Sequence, residues 1–118
     1  MLNMIKTGSG SNGSMVYSTN EMVIGEWTDG KPLYRKVIQI NNFSKGTSVA
    51  HGIADIKSAW LDCASRGVRS DGYNTQNYYN SSSDFYTTVV NNTHVYANWG
   101  DFTYPSCIFA IIYTKTTD

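Results

Sequence analysis

The chain is short of charge. Only 15% of its 118 residues are Asp, Glu, Lys or Arg, and nine basic residues against nine acidic ones leave a formal net charge of zero. The basic residues are scattered, with no run longer than Arg35-Lys36. Nucleic acids and anionic membrane surfaces are held by clustered Lys and Arg, so neither is an expected partner. Histidine and cysteine are scarce as well. His51, His94, Cys63 and Cys107 have none of the spacing of a zinc site. Ser70-Asp71-Gly72, with Asn74 and Asn77, is rich in oxygen but lacks the alternating acids and terminal Glu of a calcium loop. No pair of carboxylates stands out for sugar hydrolysis. Ser48, His51 and Asp55 lie too close together for a nucleophile, base and orienting acid, which usually come from separate supports, and no nucleophile elbow occurs. His51 reads instead as a loop or core histidine bonded to a backbone carbonyl. The sequence therefore predicts no catalytic residue, no metal and no cofactor. No apolar stretch approaches the roughly 20 residues of a membrane-spanning helix. Lys6 is not followed by the apolar core of a secretory signal. Synthesis in a cytoplasm, with both cysteines reduced, is the expectation.

What the chain does have is rings and turn formers. Aromatics make up 14% and hydrophobics 41%, enough for a packed interior in one domain. Residues 1–14 end in a Gly/Ser-rich stretch that reads as a flexible linker or N-terminal arm. Gly8, Gly10 and Gly13 match G-x-G-x-x-G, but no strand–helix unit surrounds them, so the dinucleotide reading fails. Residues 15–118 read as one β-domain. Its organising stretch is residues 23–36, where Asp29-Gly30 predicts a two-residue type I′ hairpin turn. The incoming arm carries Val23, Ile24 and Trp27, and the outgoing arm Leu33, Tyr34, Val37, Ile38 and Ile40. The hairpin reads as scaffold, with a binding tip over residues 27–31 as the alternative.

Residues 41–48 read as a loop. Residues 49–67 are ambiguous. As a helix they align Ile53, Ile56, Trp60 and Ala64, with Gly67 as a cap. As a strand they alternate Ile56, Ser58, Trp60, Asp62 and Ala64 against Lys57, Ala59, Leu61, Cys63 and Ser65. Residues 66–84 read as a long loop, residues 85–90 and 93–99 as strands around an Asn91-Asn92 turn, and residues 100–106 as another loop. Residues 107–115, a near-continuous apolar run, predict a strand buried on both faces. The sum is an all-β fold, an antiparallel β-sandwich of six to eight strands with long loops.

Several stretches are similar to a known family. Tyr17-Ser18-Thr19, Val23-Ile24-Gly25, the run from Trp27 through Asp29-Gly30-Lys31-Pro32-Leu33-Tyr34-Arg35-Lys36, His51-Gly52-Ile53 and the ending Tyr113-Thr114-Lys115-Thr116-Thr117-Asp118 resemble a recurring C-terminal domain of tail-fibre and baseplate proteins from phages and prophages of Gram-positive and gut bacteria. The resemblance implies an extended conformation for residues 49–67. It also implies a virion component made in the bacterial host cytoplasm, working beside other tail proteins as a homo-oligomer, with a trimer favoured by the common symmetry of fibres. The two aromatic, amide-rich loops point to a ligand. Tyr supplies rigid contact area while Ser, Asn and Gly supply adaptable hydrogen bonds. The same chemistry fits a host-surface saccharide, with Tyr73, Asn74, Asn77, Tyr78, Tyr79, Trp99, Asp101 and Tyr104 as the candidate contacts. The competing reading places these rings against neighbouring subunits in a structural oligomerisation module.

Overall fold

A computed structural model of the chain describes residues 16–44, 46–72, 74–76, 88–97 and 103–118. Nine strands and no helix occur among them: β1 Met22–Glu26, β2 Pro32–Ser44, β3 Ser48–Ala50, β4 Ile56–Leu61, β5 Arg66–Val68, β6 Asn74–Gln76, β7 Thr88–Val90, β8 His94–Ala97 and β9 Thr103–Lys115. They form two antiparallel sheets, so the expected all-β, sandwich-like architecture is what the chain adopts. The larger sheet runs β1-β2-β9-β5-β6, with β4 also on β9, and the smaller runs β3-β8-β7. Residues 49–67 are strand and turn, so the extended alternative holds and the helical one fails.

Strand β9 is the axis. Along one edge it pairs with β2 from Tyr34↔Tyr113 to Ser44↔Thr103. Along the other it pairs first with β4, from Ile56↔Lys115 to Leu61↔Ile111, and then with β5, from Arg66↔Ile108 to Val68↔Ser106. Its odd-numbered residues Cys107, Phe109, Ile111 and Tyr113 have no exposed surface. They face the core together with Ile40, Ile56, Val95 and Ala97. Burial pushes the Cys107 thiol up to about 12, which keeps it an inert core residue. Cys63, also a free thiol, lies exposed in the turn after β4.

Three local expectations need correction. The hairpin loop has three residues, not two. Trp27 N–H donates to Lys31 O at 2.8 Å and Gly30 N–H to Trp27 O at 2.9 Å. Only Gly30 takes a positive φ, +79°, the pattern of a type I turn closed by a left-handed glycine. Asp29 stays at negative φ and spends its side chain on Lys31 N–H at 3.0 Å. Residues 41–44 and 103–106 are strand, not loop, because β2 and β9 continue their ladder past Pro105. Asn42 interrupts β2 with φ +55°, and beyond it Phe43 meets Phe109 edge-on at 5.5 Å. Residues 66–84 are not one loop either. Strands β5 and β6 occupy part of the segment, because β9 has an open edge beyond the end of β4 and backbone groups at an open edge seek partners.

The β7–β8 turn forms where expected, at Asn91-Asn92. The Asn91 carboxamide oxygen accepts from Thr93 N–H at 2.9 Å and His94 N–H at 2.7 Å. His51 is a buried structural histidine. Its Nδ1 accepts from Ile53 N–H at 3.1 Å, which leaves Nε2 to donate to Asn91 O at 3.0 Å. With both nitrogens engaged by backbone, His51 has no free nitrogen to serve as a base for Ser48.

The segment before β1 is tied to the end of β9. Tyr113 Oη donates to Glu21 at 2.5 Å and Lys115 Nζ to the other carboxylate oxygen at 2.8 Å. Tyr34 stacks on Tyr113 at 5.5 Å and donates to the Asp118 side chain at 2.8 Å. Desolvation pushes the Glu21 carboxyl up, but the hydrogen bonds from Lys115 and Tyr113 outweigh it and hold the group below its ordinary value.

Two outcomes are expected. An added Cβ at Gly67 would lie 2.9 Å from Tyr104 Cδ1 and 3.0 Å from Cε1, so Gly67→Ala lowers stability by about 1–3 kcal/mol through overpacking, measured by urea unfolding; an unchanged midpoint would refute the contact. For Glu21, a carboxyl held below its unfolded value adds stability above that value, 4.5, and loses it as pH falls through the folded one. Wild type is therefore more heat-stable than Glu21→Gln at pH 7. The pair is partly exposed, so screening limits the gain to a few degrees, about 0.2–1 kcal/mol. The two melting curves converge as pH falls below that folded value, and a gap that persisted in strong acid would remove the carboxylate from the account.

Candidate functional site

The smaller sheet covers the odd-numbered face of β9. The even-numbered face carries Ile108, Ala110 and Ile112, and the register places Trp60, Arg35 and Val37 beside them. Tyr17, in the segment before β1, lies over this outer face. Arg35 fixes that segment. Its guanidinium lies 3.8 Å from the centre of the Tyr17 ring and donates to Val16 O, while Val37 N–H donates to Ser18 O at 2.9 Å. Arg35 is buried, and its planar fork suits stacking and hydrogen bonding together. Tyr17 Oη donates to Asp62 at 2.8 Å, and that bond, with some desolvation, holds the phenol proton more tightly than usual.

Two features mark the face. One is a pair of indoles. Trp27, at the start of the hairpin loop, lies 4.9 Å from Trp60 of β4, centroid to centroid, with the planes tilted by 49°. Trp27 remains 43% exposed, so it is a solvent-facing ring held in place by its partner. The other is a half-open cavity of about 320 Å³, lined by Tyr17, Val37, Ala64, Arg66, Ile108 and Ala110. Along β9 the cavity floor begins one outward-facing position from the Trp60 row, about 7 Å at the rise of a strand. Rings, a cavity and the charged ends of Asp62 and Arg66 thus share one surface.

A second cavity, about 260 Å³, lies between the hairpin turn and the end of β9, near Lys31, Lys57, Lys115, Asp29 and Asp118. Its charges are largely satisfied within the fold: Lys31 Nζ bonds Asp118 O at 2.9 Å and Lys115 bonds Glu21 at 2.8 Å. Among the described residues no group of three His, Cys, Asp or Glu is placed to hold a metal ion.

The contacts expected from the sequence fare unevenly. Tyr73, Asn77, Tyr78, Tyr79, Trp99 and Asp101 lie outside the described residues. Asn74 is exposed at the start of β6, opposite Val68. Tyr104 is corrected: it is 1% exposed, its ring lies over Gly67, and it is a core residue rather than a surface contact. The outer face uses residues that sequence reasoning treated otherwise. Trp27 was legible as a tip residue, and the strand reading did set Trp60 and Asp62 on one side. Their meeting with Trp27 and Tyr17 depends on pairings across more than 30 residues and left no local signal. No family model matches the chain, and no curated protein or solved structure gives a match to it.

Proposed function

We propose that this chain is a tail-fibre or baseplate-type virion domain that attaches a particle to saccharide on the host-cell surface. The observation that carries the reading is the Trp27–Trp60 pair on the outer sheet face, where Trp27 stays 43% exposed. Sugar rings offer apolar C–H faces, and a pre-positioned indole gives them contact area at little conformational cost. Asp62 and Arg66 nearby supply acceptors and donors for hydroxyls. The sequence resemblance supplies the setting: a particle that displays many copies beside other tail proteins, so that weak single sites add up to firm attachment. On this reading the chain binds and does not catalyse, and it is located in the virion after synthesis in the host cytoplasm.

A second reading, a structural oligomerisation module of the tail, rests on the other sheet. Val89 and Tyr96 face each other across the β7–β8 pair and stay 46% and 40% exposed. Exposed apolar side chains set side by side suit a contact between subunits, with a trimer expected from the fibre setting.

For attachment, an oligomer-displayed form of the full chain is tested on a glycan array and on isolated cell wall. Trp27→Ala is expected to weaken binding at least tenfold, the scale of a central aromatic contact, with no change in melting temperature beyond a few degrees. Retained binding in Trp27→Ala and Trp60→Ala alike would remove this face from the proposal. For oligomerisation, sedimentation across a hundredfold range of concentration should reveal self-association that Tyr96→Lys abolishes; a strict monomer throughout discards the second reading.

A further inference from the structure

The outer-face cavity has a charge that the described residues around it leave unanswered. Arg66 is exposed, sits opposite Ile108 at the cavity wall, and has no ion-pair or hydrogen-bond partner for its side chain among the described residues. Asp62, bonded to Tyr17, accepts from its Oη at 2.8 Å and from Cys63 N–H at 2.9 Å. Arg66 is thus the charged group among the described residues that line the cavity. The rest of the lining is apolar: Val37, Ala64, Ile108 and Ala110, with the Tyr17 ring at one side. A volume of about 320 Å³ lies at the small end of the ligand-pocket range, about 300–1,000 Å³, which suits one or two sugar rings and not a folded peptide.

We propose that this cavity selects an acidic saccharide, seating the ring of a hexuronic acid unit on the apolar floor and Tyr17 with its carboxylate on the Arg66 guanidinium. The inference rests on the attachment reading above and narrows its ligand. An apolar floor with a single cationic rim matches a sugar in which one edge is C–H and one substituent is charged. Arg presents two parallel N–H donors that fit both oxygens of a carboxylate. One lining guanidinium matches one carboxylate, whereas a polyphosphate backbone calls for a row of cations that this face does not carry among the described residues. The Trp27–Trp60 pair, about 7 Å along the strands from the cavity floor, is placed to stack a neighbouring ring of the same oligosaccharide. Uncharged stacking and charge recognition are thereby assigned to different residues, so they separate by mutation.

The test uses the full chain and a panel of hexuronate oligosaccharides of differing linkage. Each is paired with its carboxyl-reduced counterpart, in which the acid has become a neutral hydroxymethyl group. Binding is followed by calorimetry and by tryptophan fluorescence. Wild type should prefer at least one acidic member over its reduced partner by tenfold or more, and the preference should shrink as salt is raised. Arg66→Gln should abolish the preference, weakening the acidic form far more than the reduced one. Trp27→Ala should weaken both forms by the same factor. Equal wild-type affinity for each acidic and reduced pair, or a preference that survives in Arg66→Gln, overturns the inference and leaves the attachment reading standing. Tighter binding to a glycerol-phosphate oligomer than to every uronate overturns it as well. If no member of the panel and no neutral glycan on the array binds, both proposals fall together.

Discussion

Hydrogen bonding on both edges of β9 is the constraint from which the rest of the fold follows. A 13-residue strand in the middle of a sheet must satisfy its N–H and C=O groups on either side. One partner, β2, does so along nearly the whole of one edge. The other edge is shared: β4 stops at Leu61, and β5 takes over from Arg66 after a turn in which Asp62 N–H still bonds Ala110 O at 2.8 Å. That turn is closed from within by Ser65, whose side chain accepts from Ala110 N–H at 3.0 Å. The changeover therefore leaves no gap in the bonding of β9, although two separate strands meet there.

The same strand divides the molecule into two chemical faces. Side chains alternate, so the residues that build the core are fixed to one side and the neighbours of Trp60 to the other. On the core side the aromatic residues are sealed in, Tyr113 and Phe109 completely. Tyr113 keeps a polar contact by reaching Glu21, and burial together with that carboxylate pushes its phenol pKa far up. On the outer side the rings are braced without being covered. Arg35 does for Tyr17 what Trp60 does for Trp27: it holds an exposed ring in a defined place. A ring held in this way loses less entropy on contact than one free to turn.

How far this was legible in the sequence depended on whether a residue's role was local. The apolar run at residues 107–115 announced the buried strand, and Asn91-Asn92 and Asp29-Gly30 announced their turns. Even there the exact turn type escaped, because Asp29 was free to bond Lys31 N–H with its side chain instead of adopting a positive φ. Strands β5 and β6 were invisible. Each has three residues, too few for a period, and β5 is placed by an open backbone edge rather than by its side chains. Gly67 looked like a helix cap or a loop residue. Its role is to make room for Tyr104, 37 positions away, and Tyr104 in turn looked exposed because Gly100 and Pro105 flank it. The outer face was hidden for the same reason, since Tyr17, Trp27, Trp60 and Arg66 come from four separate stretches brought together by β9.

That assembly bears on why a sheet face suits the proposed role better than the long loops. Loop contacts must be ordered when a ligand arrives, and the ordering is paid in affinity. Here Trp60 and the cavity floor rest on the hydrogen-bonded strands β2, β9 and β4, and Trp27, in the hairpin loop, packs against Trp60. On the attachment proposal, a weak single site would be enough, because repetition on a particle converts weak contacts into lasting attachment. Among the described residues no group of three His, Cys, Asp or Glu is placed to hold a metal ion, and His51 is engaged by backbone at both nitrogens. What the face offers is ring contact and charge, as the attachment proposal requires.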